Sequence, residues 1–138
     1  MSQNIAAAPL TPEELCAHLS ERGIAYVRVD HEAVFTVAES QALRGTLPGL
    51  HSKNLFVKDK KGRLFLVSAR ENARIDLKRL HETLGASGRL SFCSAEALME
   101  KLGVTPGSVT ALAVINDRQG AVTMVLDRNL ATGEPVNF

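Results

Sequence analysis

Apolar and polar positions change period several times along this chain, and each change predicts an element. Thr11-Pro12-Glu13-Glu14 reads as a helix start: the threonine can cap, the proline suits the first turn, and the acids favour the positive helix end. Leu15, His18 and Leu19 then share a face, and Gly23 ends the helix. Ile24 to Val29 alternates as a strand does. After a connecting loop from His31 to Phe35, Thr36 and Glu39 have the spacing of a reciprocal capping box, for a helix ending near Gly45. Asn54 to Asp59 and Arg63 to Ala69 are apolar runs around Lys60-Lys61-Gly62, a hairpin signal. Asp76 to Leu84 and Ser94 to Leu102 have helical spacing, the second with Ser94 as its cap. Val109 to Ile115 is apolar throughout, which predicts a central buried strand, with Asn116 to Gly120 as a hairpin loop and Val122 to Leu126 as the return strand. Leu130 to Phe138 is turn-rich. Residues 1–10 are expected to be a flexible lead-in, and 11–138 a single domain. Two hairpins, and helices that do not alternate strictly with strands, predict an α/β protein of the α+β type: a mixed, mainly antiparallel sheet with helices packed around it.

Composition narrows the classes. The 138 residues are enough to bury a core without disulfides or metal, and 45% apolar content argues against global disorder. Aromatics make up 4%, with no Trp, so the core rests on Leu, Val, Ile and Ala, and a base-stacking surface is disfavoured. A net charge of +1 excludes a polybasic protein but leaves room for a local nucleic-acid patch. Cys16 and Cys93 show no CxxC spacing and read as reduced, buried thiols of a cytoplasmic protein. No run has the length of a membrane span, and residues 1–10 lack the pattern of a signal peptide.

The chemistry gathers in two glycine-proline segments, Thr46 to Phe56 and Gly103 to Thr110. Each sets a loop beside an apolar run, and the first places Lys53 at the threshold between them. A lone cation with two stretches of exposable backbone N–H suits an anionic ligand that carries a carbonyl. On spacing alone, Lys53 reads more simply as a solvated lysine, and Gly103 and Pro106 as a helix C-cap and its following stop.

The ordered set of His31-Glu-Ala-Val-Phe-Thr36, Pro48-Gly49, Lys53-Asn-Leu-Phe56 with Lys58-Asp-Lys-Lys61, Gly103-Val-Thr-Pro-Gly-Ser-Val-Thr110 and Asn116-Asp117 resembles the YbaK-like and prolyl-tRNA-synthetase-associated domains. These are editing domains that hydrolyse mischarged aminoacyl-tRNA. The likeness runs from about Leu10 to Phe138, and Lys53-Asn54-Leu55-Phe56 looks most like the branch acting on Ala-tRNA(Pro). The family pattern continues through a histidine past the position of Phe138, so the domain is expected to lack the family's C-terminal segment.

The resemblance implies a trans-editing deacylase whose partners are mischarged tRNA(Pro) and prolyl-tRNA synthetase, with no cofactor, metal, membrane or DNA. It implies that Lys53 holds the tRNA 3′ terminus. It also implies that Gly107 and Ser108 stabilise the carbonyl oxygen, with terminal-ribose hydroxyls assisting the water. Phe35, Thr36, Pro48, Gly49, Asn54, Gly103 and Pro106 are the candidate substrate-binding residues, although Asn54 reads equally as a turn former and Phe35 as core. Lys58, Lys60, Lys61 and Arg63 would meet the tRNA backbone, and Arg70, Arg74, Lys78 and Arg79 form a second cluster; solvated faces are the simpler reading of both. His31 and His51 have no carboxylate partner by spacing and are left out of catalysis. No GxSxG, HExxH or Cys-His signature is present. The alternatives are a non-catalytic tRNA- or synthetase-binding module of the same fold, or a deacylase for Cys- or another small-amino-acid-tRNA.

Overall fold

The computed structural model describes residues 8–30, 38, 42, 43, 45 and 47–138. The helix expected over Thr36 to Gly45 falls largely outside them, as do His31, Phe35 and Thr36. The chain divides into two compact units, Met1–Thr46 and Leu47–Phe138.

The first unit holds α1 (Pro12–Glu21). Glu14 N–H donates to Thr11 Oγ1 at 3.1 Å and Thr11 N–H to Glu14 Oε1 at 2.9 Å, so the capping box closes here. Gly23, at φ +71°, ends the helix. Arg28 bridges Glu13 and Asp30 at 3.3 and 2.9 Å. The strand expected over Ile24 to Val29 does not form: Ile24 to Asp30 belong to no strand and pair with none among the described residues. Alternation favours an extended backbone, but a strand exists only where a neighbour completes its hydrogen bonds.

The second unit is built on a hairpin, β1 (Leu50–Lys58) and β2 (Leu64–Arg70), paired antiparallel from Ser52 with Arg70 to Lys58 with Leu64. The short β3 (Ser91–Phe92) joins β1 antiparallel, β4 (Val122–Leu126) joins β2 in parallel, and β5 (Val136–Asn137) joins the start of β1 in parallel. The sheet is mixed, and its long central pairing is antiparallel, as expected. Side chains alternate across it. Phe56 and Leu66 meet Leu98 and Leu102 of α3 (Ala95–Leu102) on one face. Val57, Phe65 and Val67 meet Leu90 on the other, with Leu80 and Leu84 of α2 (Leu80–Leu84) packed alongside. Each large apolar side chain fully buried this way contributes about 1.5–3 kcal/mol.

Two elements depart from expectation. Val109 to Ile115 is not a central strand: Ala111–Asn116 forms a 3₁₀ helix whose first turn is capped by Thr110, with Leu112 N–H donating to Thr110 Oγ1 at 3.3 Å. A continuous apolar run signals burial, not geometry. Here the burial is against the sheet, through Ala113, and the place beside β2 belongs to β4. Val122 to Leu126 is therefore a strand but not a hairpin return. Asp117 still forms the turn, accepting from Ala121 and Val122 N–H at 3.0 and 2.8 Å. The helix expected from Asp76 is shorter, because Asp76 Oδ1 takes Lys78 N–H at 3.0 Å and shapes a turn ahead of Leu80.

The hairpin turn is organised by Asp59, a carboxylate buried at the foot of β1. It accepts Ser87 N–H at 3.0 Å, Arg63 N–H at 2.8 Å, Arg63 Nε at 2.9 Å and Lys61 N–H at 3.0 Å. These donors, Ser87 N–H foremost, hold its carboxyl well below the usual carboxylate range, against the opposing effect of burial. A carboxylate with a depressed folded value stabilises the fold above its unfolded value, about 3.9, and loses that contribution as pH falls towards the folded one. Asp59→Asn should therefore lower the melting temperature at pH 7 and flatten its decline below about pH 4. Thermal unfolding of both proteins across pH 2–7 checks this; parallel curves would remove Asp59 as the cause.

Candidate functional site

Four of the sequence-predicted residues, Pro48, Gly49, Lys53 and Asn54, lie in the first half of β1 or the turn before it. Pro48 and Gly49 lead into it, exposed, with Gly49 at φ +96°. His51 is half-buried, and its Nε2 lies 3.2 Å from Leu47 O, a structural place. Lys53 and Asn54 follow, and strand alternation sends them to opposite faces. Lys53 shares its face with Leu55 and Val57, and its Nζ donates to Ala73 O. An ammonium has three donors, so that bond leaves others for an anion. The same neighbourhood carries a shallow depression lined by Arg74, Ile75, Asp76, Arg79, Leu80 and Thr83.

Asn54 lies on the face of Phe56 and is tied at both ends of its amide. Ser68 Oγ donates to Asn54 Oδ1, and Asn54 Nδ2 donates to Val109 O at 3.2 Å. The second glycine-proline loop therefore sits on Asn54's side of the sheet, not on that of Lys53. The two halves of the expected clamp meet at one strand but approach it from opposite faces.

The loop itself has a definite shape. Gly103, at φ +68°, caps α3 through its N–H to Leu98 O and Met99 O at 3.1 and 3.0 Å, the plain helix-stop role that spacing favoured. Ser108 N–H donates to Thr105 O at 3.0 Å, with Pro106 and Gly107 between them and Gly107 at φ +90°, the residue order of a type II turn. Ser108 N–H is thus spent inside the turn. Gly107 N–H has no partner among the described residues, and Gly107 and Ser108 are exposed. Asn116 is structural here, with Nδ2 donating to Leu102 O at 2.8 Å.

At the far end of β1, Lys58, Lys60 and Lys61 are exposed. Arg63 differs: besides Asp59 it binds Gly85 O at 2.9 Å and lies 5.8 Å from the Phe65 ring centroid. Its guanidinium belongs to the hairpin's own framework. Among the described residues, no group of His, Cys, Asp and Glu could hold a metal ion, and no helix is long and apolar enough to cross a membrane.

Two residues at this site escaped the sequence reading. Ser68 left a faint trace, a lone hydroxyl in the apolar run from Leu64 to Ala69, and it is fully buried. Asn137 left none. Ser68→Ala leaves Asn54 Oδ1 without its donor and should cost about 1–3 kcal/mol, read by urea unfolding; a loss under about 0.5 kcal/mol would mean that the amide finds another partner.

Comparison with known proteins bears on this geometry. The description of the aminoacyl-tRNA editing domain matches residues 31–138. A zebrafish (Danio rerio) protein named prolyl-tRNA synthetase associated domain-containing protein 1 is 41% identical over 129 residues, 93% of this chain and 70% of its own. Prolyl-tRNA editing protein ProX of Acetoanaerobium sticklandii is 36% identical over 119 residues, 86% of this chain and 72% of its own. The crystal structure of a hypothetical protein shares the fold, with a TM-score of 0.64 at 24% identity, covering 84% of this chain and 74% of that one. The chain belongs to the family of aminoacyl-tRNA editing domains.

Proposed function

We propose that this chain is a trans-editing deacylase that hydrolyses the ester of mischarged tRNA(Pro), with Ala-tRNA(Pro) as its substrate. The observation that carries the reading is the head of β1. Lys53 follows the exposed Pro48–Gly49 turn, and Asn54 beside it is bonded to Val109 at the end of the exposed loop, in a chain similar to an editing protein named for prolyl-tRNA. A synthetase pocket made for proline rejects smaller amino acids only weakly on affinity, since each missing methylene changes rates only about 10- to 200-fold, and alanine lacks two of proline's ring carbons. A second site that admits alanine and excludes proline by size supplies the rest.

The ester is already activated, so positioning and oxyanion stabilisation carry most of the reaction. Lys53 would hold the phosphate of the 3′-terminal nucleotide as a compact point charge. Gly107 N–H and the Ser108 hydroxyl are the loop donors for the carbonyl oxygen. Water adds to the carbonyl carbon, the terminal ribose oxygen leaves and takes up a proton, and alanine and free tRNA result. Lys58, Lys60 and Lys61 are exposed at and beyond the far end of β1, about 16 Å or more from Lys53 at strand rise, so they would meet the tRNA backbone away from its 3′ terminus. Prolyl-tRNA synthetase is the partner from which the mischarged tRNA would arrive, in the cytoplasm.

A deacylation panel tests the reading: purified protein against tRNA(Pro) charged with Ala, Cys, Ser or Pro. Release from Ala-tRNA(Pro) with Pro-tRNA(Pro) left intact is expected. Preferential release of cysteine or serine would move the substrate assignment. A non-catalytic tRNA- or synthetase-binding module is the second reading, favoured by one observation: the N–H of Ser108 is already occupied. Salt-sensitive tRNA binding without release from any charged tRNA would establish it.

A further inference from the structure

The Pro48–Gly49 turn is held by a short segment from far along the chain. Leu50 N–H donates to Pro135 O at 2.8 Å, and β5 runs beside β1 with Leu50 opposite Val136 and His51 opposite Asn137. The Asn137 carboxamide donates to Pro48 O at 2.9 Å and to Leu50 O at 3.0 Å, one carbonyl on each side of Gly49. Ser52 Oγ donates to Asn137 O at 2.7 Å, which holds Asn137 in turn. Gly49 fits because it has no side chain: a Cβ there would lie 2.5 Å from Pro135 O. Pro48 and Gly49 are exposed, so little apolar packing holds the turn. Its path is set mainly by polar bonds, and two of them come from a single side chain.

We propose that Asn137 is a positioning residue that sets amino-acid selectivity. By bracketing Gly49 it fixes the course of the Pro48–Gly49 turn, which would form one wall of the aminoacyl pocket if these two candidate substrate-binding residues act as such, and the inference rests on the editing reading above. Exclusion by size needs a wall that stays in place. A displacement of about 1 Å is enough to change rates roughly 100-fold, more than most of the discrimination that one methylene provides.

The test compares kcat/KM for Ala-tRNA(Pro) and Pro-tRNA(Pro) in the wild type, Asn137→Ala, Asn137→Asp and a control, Thr132→Ala, with melting temperatures measured alongside. Asn137→Asp keeps the shape but sets a carboxylate against two carbonyl oxygens. The control removes a hydroxyl from the same segment that, among the described residues, accepts only Glu134 N–H, at 3.4 Å. Both Asn137 variants should lose selectivity about tenfold or more, by gaining hydrolysis of Pro-tRNA(Pro), while Thr132→Ala keeps it. A folded Asn137→Ala with wild-type selectivity overturns the proposal. If Asn137→Ala does not fold, Ser52→Ala decides: a smaller loss of selectivity supports the proposal and an unchanged ratio overturns it. A wild type inactive on every charged tRNA sinks the editing reading and this proposal together, whereas an active wild type with unaltered variants sinks this proposal alone.

Discussion

Lys53→Met should lower deacylation of Ala-tRNA(Pro) by about 10- to 100-fold and leave the fold unchanged. A hydrogen bond to a charged group is worth about 1.5–3 kcal/mol, and each 1.36 kcal/mol is tenfold in rate. Methionine keeps the length and apolar stem of lysine and removes only the ammonium. Among the described residues the Lys53 side chain makes one hydrogen bond, to Ala73 O, which loses little by turning to water. Single-turnover deacylation and a melting curve, run together, separate the two effects. Activity within twofold of wild type would show that the 3′ terminus is held elsewhere. A melting temperature lowered by several degrees would make Lys53 a structural residue instead.

The largest effect on stability is expected at Gly49. Two penalties coincide in Gly49→Ala. The backbone sits at φ +96°, where an L side chain is strained, and the new Cβ would lie 2.5 Å from Pro135 O and 3.1 Å from Pro135 C. The obstacle is backbone that β5 holds in register with β1, so relief means breaking the contact between Pro135 and Leu50. The sum should be about 3 kcal/mol, or a fall of roughly 6–12 °C in melting temperature for a domain of this size. Gly107→Ala isolates one penalty: its φ is +90°, but nothing among the described residues lies within 4 Å of a Cβ there. It should cost about 1–2 kcal/mol. Equal losses in the two variants would mean that backbone strain alone matters and the Pro135 contact yields freely.

Some parts of the molecule are written in local order. Thr11 with Glu14, Ser94 with Ala97, and Gly23, Gly85 and Gly103 at helix ends are short-range devices, and the structure uses each of them. The hairpin was legible for the same reason, because Lys60-Lys61-Gly62 joins runs that pair with their nearest neighbour in sequence. Val109 to Ile115 was not. Its apolar side chains report burial, and whether the burial is met by a strand or a 3₁₀ helix depends on which segment occupies the place beside β2.

The candidate site divides along the same line. Local order carries the candidate chemistry, the cation at Lys53 and the glycine-proline loops, and an ordered set of motifs whose family the comparisons bear out. The arrangement of these groups came from long-range contacts. The fold sent Lys53 and Asn54 to opposite faces, spent the N–H of Ser108 inside its own turn, buried Asp59 in the hairpin turn with Arg63 bonded to it, and brought Ser68 and Asn137 beside the candidate residues. The physical reason is range. Caps, turns and periodicity act over a few residues and leave a trace in local order. Asn137 reaches Pro48 across 89 positions, and such a contact exists only once the sheet has set its register.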